Sequence, residues 1–305
     1  GLNFYRRMLV IRFFEQKCEH GFARNQIAGT THLCIGQEAV PVGVSVFLEK
    51  NDYVVSTHRG HGHALCKGLT AHGLFAEILG KATGYCGGKG GTQHVANLAV
   101  GFLGTNGVTG GGLPIATGAA LSQKLSSTRN IAVSFLGEGA TNQGTFSESL
   151  NMAGLWNLPV LFVCENNGYA MSTAAHRASQ GTAIHKKAEA LGVAGYHVDG
   201  MDVLEVARLA RELIERMRAG GGPALIEAVT YRFGGHSKSD PRMYRTREEE
   251  KLWKGRCPID RLRGQLLDRQ ITDATTLKAI RKEVKTEIES AYQRAMADPF
   301  PEFFF

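Results

Sequence analysis

Residues 131–139 read Ile-Ala-Val-Ser-Phe-Leu-Gly-Glu-Gly, and residues 158–168 read Leu-Pro-Val-Leu-Phe-Val-Cys-Glu-Asn-Asn-Gly. Each stretch is a short apolar, β-branched run that ends abruptly in glycine, carboxylate or amide residues. Runs this short and this uniformly apolar predict strands buried on both faces. Between them, Phe146, Leu150 and Ala153 recur at helical spacing, so residues 144–156 predict a helix, and Pro159 closes the connection. Strand, helix and strand in one sheet make a right-handed crossover joining parallel strands. That unit sets the fold class as α/β, with a mostly parallel central sheet and helices on both faces.

The pattern extends in both directions. Asp202, followed by Glu205, has the form of a capping box, and Val203, Val206, Ala210, Leu213 and Met217 form the apolar stripe of the helix it opens. Gly220, Gly221 and Gly222 stop that helix, and residues 224–229 predict a third buried strand. Thr272 or Asp273 starts a long amphipathic helix through Leu277, Ile280, Val284 and Ile288. Near the start, Tyr5, Met8, Leu9 and Phe13 share one helical face. A further helix is expected between residues 112 and 126, with Pro114 in its first turn. Residues 29–112 are rich in Gly and His and poor in period, which predicts ordered loops around a ligand. The organisation expected is one large domain over residues 1–305, with a helical N-terminal segment (1–25) and a helical C-terminal extension (245–298). Phe146 and Trp156 read as core residues, and His72 and His185 as solvated ones.

Composition narrows the function classes. With 305 residues, 43% hydrophobic and 21% charged, the chain is of ordinary globular type. No apolar run approaches the ~20 residues of a membrane helix. Arg6, Arg7, Arg12 and Glu15 interrupt the opening stretch, so no signal peptide is read there. The net charge of +7 permits anionic partners. However, no Lys/Arg run exceeds two residues and no zinc-finger spacing occurs, so a phosphate-bearing small molecule is expected, not nucleic acid. Six dispersed cysteines without C-x-x-C predict reduced thiols in a cytoplasmic or organelle-matrix protein that is not secreted.

In a parallel sheet, ligands gather beyond the carboxyl ends of the strands. Here those ends carry Gly137-Glu138-Gly139 and Glu165-Asn166-Asn167-Gly168. Glu138, the Asn167 amide oxygen and a nearby backbone carbonyl are hard oxygen donors, which suit Mg2+ or Ca2+ and not zinc. The chain contains neither G-x-x-x-x-G-K-[ST] nor G-x-G-x-x-G, so the usual nucleotide fingerprints are absent. A divalent ion bridging the protein to a diphosphate is the better expectation.

Gly137-Glu138-Gly139-Ala140, Asn142 and Asn166-Asn167 resemble the thiamine diphosphate motif, with Glu138 where that family usually carries Asp. The chain as a whole, over about residues 2–299, is similar to the α subunit of the decarboxylase component of 2-oxo acid dehydrogenase complexes of pyruvate, acetoin or branched-chain type. His32-Leu33, Gly36-Gln37-Glu38, His58-Arg59-Gly60-His61-Gly62, Gly87 to Gly91, Asn106-Gly107 and His236 to Pro241 carry this likeness. The resemblance implies a thiamine diphosphate-binding fold and metal ligands at Glu138, Asn167 and the Tyr169 carbonyl. It sets Gly139, Ala140, Arg59, His58 and His236 around the cofactor, and Gly107 and Thr109 at its bend. His32, His61 and His236 are the implied catalytic histidines, and residues 199–202 and the loop after Phe233 the implied entrance. It also implies a β subunit in a heterotetramer of two α and two β chains, which brings the glutamate that activates the cofactor, and a lipoyl-bearing acyltransferase. The implied reaction is decarboxylation of a 2-oxo acid, pyruvate first, with acyl transfer to the lipoyl carrier. Acetoin cleavage, or transfer to another carrier, is the alternative. His58 is similar to acetoin-type members, whereas residues 236–241 and Tyr244-Arg245-Thr246 are similar to pyruvate-type members. A non-catalytic scaffold subunit is a third possibility, resting on Glu138 alone.

Overall fold

Strands β1 (Tyr53–Val55), β2 (Phe102–Gly104), β3 (Ala132–Gly137), β4 (Val160–Asn166), β7 (Ala194–Asp199) and β8 (Ala224–Val229) form one parallel sheet in the order β2-β1-β3-β4-β8-β7. The computed structural model describes residues 1–181 and 183–302. The hairpin β5 (Tyr169–Ala170) and β6 (Thr173–Ala174) stands apart from this sheet. The helices are α1 (Leu2–Ala23), α2 (Ala39–Ser45), α3 (His61–Lys67), α4 (Ala71–Ile78), α5 (Gly112–Leu125), α6 (Gly144–Leu155), α7 (Ala175–Ala178), α8 (Ile184–Glu189), α9 (Val203–Arg218), α10 (Arg247–Lys254), α11 (Pro258–Asp268) and α12 (Ala274–Ala297).

Side-chain alternation along the strands produces two cores. Val133, Phe135, Leu161, Val163 and Ile226 pack on one side with residues of α1, α2, α9, α11 and α12. Ala132, Leu136, Val160, Phe162 and Leu225 pack on the other with α5, α6 and α8. Both faces of β3 and β4 are therefore covered, as their unbroken apolar sequences predict. The strand–helix–strand unit of residues 131–168 forms as expected, with Gly137 in register with Glu165. The tips of β3 and β4 thus lie side by side.

Asp202 caps α9 by accepting from the Leu204 and Glu205 N–H groups. Its own N–H turns to the Asp199 carbonyl, so the return half of the capping box is not made. Asp273 caps α12, as expected for one of the two candidates.

Three expectations are corrected. Residues 29–112 are not a region of loops, since they contain α2, β1, α3, α4 and β2. These strands are only three residues long, and all seven residues of α2 are buried, so neither period shows in the sequence. Trp156 is 40% exposed at the end of α6 and is not a core residue. His72 and His185 are half-buried and meet carboxylates, at 2.8 Å from Asp298 and 2.7 Å from Glu227. Among the described residues, no helix is long and apolar enough to cross a membrane.

Candidate active site at the carboxyl edge of the sheet

From β1 the chain moves outward to β2, and from β3 it moves the opposite way to β4. The sheet order therefore reverses between β1 and β3, and a crevice opens where the two connections part. A cavity of about 300 Å³ occupies this position. Residues 56–59 after β1, 135–140 at the end of β3, Glu165 and Asn167 of β4 and its turn, and Arg232 and His236 after β8 line it. Asn106, Thr109 and Leu113 close it from the β2–α5 connection.

Glu138 begins the short 3-10 turn that follows β3. Its carboxylate is buried and accepts the Asn167 N–H at 3.2 Å. Asn167 in turn donates from Nδ2 to Gln37 Oε1 at 3.2 Å, while its Oδ1 accepts the Tyr169 N–H at 3.3 Å. The amide is thus oriented by two partners. Burial raises the Glu138 carboxyl above its ordinary range, against the pull of backbone N–H groups and of Arg232 and Arg59. A buried carboxylate next to an oriented amide oxygen offers oxygen donors of the kind that could hold Mg2+ or Ca2+. Glycine is required at position 139 because a Cβ there would lie 2.7 Å from the Ala170 Cβ in β5.

Arg59 is buried, and burial together with Arg232 lowers its guanidinium to about 9. It donates to the carbonyls of Leu33 (2.5 Å) and His236 (3.0 Å), so it ties the loops after α1 and β8 to the end of β1. His32, His58 and His236 cluster beside it, with ring centroids 4.6 to 5.7 Å apart. Burial first, then the Arg59 charge, pushes His32 and His58 down to about 3 and His236 to about 4. All three are neutral at pH 7.

Of the residues expected at the site, Glu138, Gly139, Ala140, Asn167, Tyr169, Arg59, His58, His236 and Thr109 line the cavity. Gly107 does not; it lies beside Gln93 and His94. His32 sits just behind the lining, against His58 and His236. His61 is not brought to the cavity at all. It is fully buried, with Nδ1 3.0 Å from Glu15 Oε2 and Nε2 2.6 Å from Thr92 Oγ1. Thr92 continues to Thr31 at 3.1 Å, next to His32, and Glu15 also accepts from the N–H and thiol of Cys34. The Glu15–His61 pair therefore props the loop that carries His32. Asp199 and Asp202 do not shape the entrance either. They are bound to α11 through Arg261, at 2.6 and 2.9 Å.

The glycine-rich stretch at residues 87–91 wraps a carboxylate of its own chain. Glu77 accepts N–H groups from Cys86, Gly88, Gly90 and Gly91. Sequence reasoning missed Gln37, Arg232 and Glu165 as lining residues. Glu165 adjoins the Asn-Asn pair and could have been found from that position. Arg232 reads as the polar end of a strand, and only the fold turns it into the cleft, where it donates to the Met171 carbonyl and the Tyr244 hydroxyl.

The sequence profile of the family described as "Dehydrogenase E1 component" matches residues 6–303. The α subunit of acetoin:2,6-dichlorophenolindophenol oxidoreductase from Bacillus subtilis is 46% identical over 302 residues, covering 99% of this chain and 90% of the relative. The pyruvate dehydrogenase E1 component α subunit of Porphyra purpurea is 44% identical over 307 residues, covering 98% and 89%. Its counterpart in Rhizobium meliloti is 40% identical over 302 residues, covering 99% and 87%.

Proposed function

The chain belongs to the dehydrogenase E1 component family, and on that footing we propose that it is the α subunit of a thiamine diphosphate-dependent 2-oxo acid dehydrogenase, with pyruvate as the first candidate substrate. The observation that carries this reading is the pairing of the β3 and β4 tips, which sets the Glu138 carboxylate against Asn167 at a sheet switch point. Glu138, the Asn167 oxygen and the Tyr169 carbonyl would hold Mg2+ or Ca2+, and the ion would hold the diphosphate. Gly139 and Ala140 leave the backbone close to that anion. Arg59 and His236 supply positive and neutral donors to its other side. Thiamine diphosphate, when bound there, would supply the nucleophilic carbon and the electron sink that decarboxylation of a 2-oxo acid needs. His58 and His236, neutral at pH 7, can each give or take one proton at a ring nitrogen that faces the cleft. His61 acts one step back, by holding the loop of His32.

The reading extends to assembly and location. The acyl group passes to a lipoyl-bearing acyltransferase in a cytoplasmic or matrix compartment. A β subunit completes the site in a heterotetramer of two α and two β chains. Calorimetric titration with thiamine diphosphate and Mg2+ tests this. The chain alone should bind weakly and show no turnover, and addition of the β subunit should strengthen binding and release CO2 from pyruvate. Full turnover by the single chain would sink the divided site, and no binding with the partner present would sink the cofactor assignment. Acetoin cleavage is the second reading, favoured by the name of the 46% identical relative. Aldehyde release from acetoin in the same assembled protein distinguishes it.

A further inference from the structure

A second cavity, of about 420 Å³, opens between α1, α3, α4 and α12, and no residue lining it lines the cleft at the sheet edge. Val10 and Ile11 of α1, Leu65 of α3, Leu69 of the turn that follows and Ala291 of α12 give it apolar walls. Small-molecule sites are built in this way, from apolar walls and a few placed polar groups.

The charged side chains around this cavity are not all matched. Arg6 is held by Glu283 and Glu287, at 3.1 and 2.6 Å, and His72 by Asp298, at 2.8 Å. Arg7 and Arg294 also line the cavity, and among the described residues neither forms an ion pair. Arg294 is exposed and keeps its water. Arg7 is half-buried, and its Nη1 is buried without a hydrogen-bond partner. A charged donor buried in that way gives up its hydration and gains nothing in exchange. Cys66 feels the Arg7 charge, but burial pushes its thiol up to about 12, so it is protonated at pH 7 and supplies no anion.

An anion with an apolar body answers both features. The planar guanidinium fits a carboxylate through two parallel hydrogen bonds. A carboxylate monoanion also loses less hydration on entering apolar walls than a phosphate dianion does. We propose that this cavity binds an aliphatic carboxylate, with its head on Arg7, its chain along Val10, Leu65 and Leu69, and Arg294 adding positive charge from the exposed side. Ile11 and Leu65 stand one helical turn from Glu15 and His61, whose contact props the loop of His32. An occupant therefore braces α1 against α3 beside that prop.

The test uses octanoate with the full chain and no cofactor, so its failure is separate from failure of the thiamine reading. Calorimetric titration should saturate at one octanoate per chain, with half-saturation below about 1 mM. Acetate and octanol, which carry the head or the body alone, should each bind about 10-fold more weakly or worse. In a methyl-labelled chain, the Val10, Leu65 and Leu69 resonances should move with octanoate, a readout that needs no variant. Arg7→Gln should weaken binding about 10-fold or more, while Arg177→Gln, on the exposed face of α7, leaves it unchanged. Melting curves establish that the variants fold. No saturable binding by about 5 mM octanoate, equal affinity for acetate or octanol, shifts confined to other methyl groups, or unchanged affinity in the folded Arg7 variant overturns the proposal.

Discussion

Glu138 is a buried carboxylate for which backbone N–H groups and nearby arginines do not make up for lost water, so burial raises its pKa. Its folded-state pKa lies above the unfolded one, so its stabilising form is the protonated one, and that stability is lost as pH rises through the folded pKa. Glu138→Gln in the ligand-free chain should therefore raise Tm at pH 8, with the gap closing as pH falls toward 4. The same variant should lower metal-dependent cofactor affinity by ~10–100-fold. A variant that melts lower at pH 8 yet binds cofactor normally would remove Glu138 from the cation site. Glu15 behaves in the opposite sense. Burial raises it, but His61 and the Cys34 donors outweigh burial and hold it below its ordinary range. Its stabilisation is present above the unfolded carboxyl pKa and fades as pH falls through the lower folded value. Glu15→Ala should cost about 3–5 kcal/mol at pH 7, the usual result of removing one partner from a buried pair. Urea unfolding at pH 7 checks this, and a loss under 1 kcal/mol would show that the pair is not coupled.

At the scale of elements, the site is assembled from strand ends and held by caps. The two oxygens of Asp202 divide the work. Oδ1 accepts from the first turn of α9, and Oδ2 accepts from Gln265 and pairs with Arg261 of α11. A cap alone is worth ~1 kcal/mol. Asp202→Ala should exceed that, since α11 loses its anchor, whereas Asp202→Asn should keep the cap and lose mainly the ion pair. Denaturant midpoints of the two variants distinguish these contributions, and equal losses would mean that the cap contributes nothing. Glu77 plays a comparable part for the 86–91 loop. Four N–H groups converge on its carboxylate, and the loop then runs to Thr92 and Gln93, which touch His61 and His32.

Over the whole molecule, the two faces of the sheet differ in how fully they are covered. One core carries the long helices α1, α9, α11 and α12 and closes over Tyr5, Phe14 and Tyr292. On the other side, α5 and α6 leave Ile115, Leu125, Leu155 and Trp156 at 40 to 77% exposure. Large apolar side chains on adjoining surface helices fit the subunit contact that the proposed β partner requires. Leu155→Glu should leave the isolated chain within ±0.5 kcal/mol of its stability and should prevent co-purification with the β subunit. Size-exclusion chromatography of the co-expressed pair reads this out, and an unchanged heterotetramer would place the contact elsewhere.

Much of this was legible in residue order. Buried strands at 131–137 and 160–166 announce themselves because a strand covered on both faces must be apolar throughout. The helices α9 and α12 do so because an amphipathic stripe has to repeat. Glu138 and Asn167 follow from the rule that parallel strands present ligands at their carboxyl ends. The remainder depended on contacts between distant segments, which no local pattern encodes. The strands β1 and β2 are too short to show a period, and the fold alone turns Arg232 into the cleft. Likewise, His32, His58 and His236 stand far apart in the chain, and only tertiary structure made them neighbours while moving His61 behind them, because loop positions are fixed by what they pack against and not by their own composition.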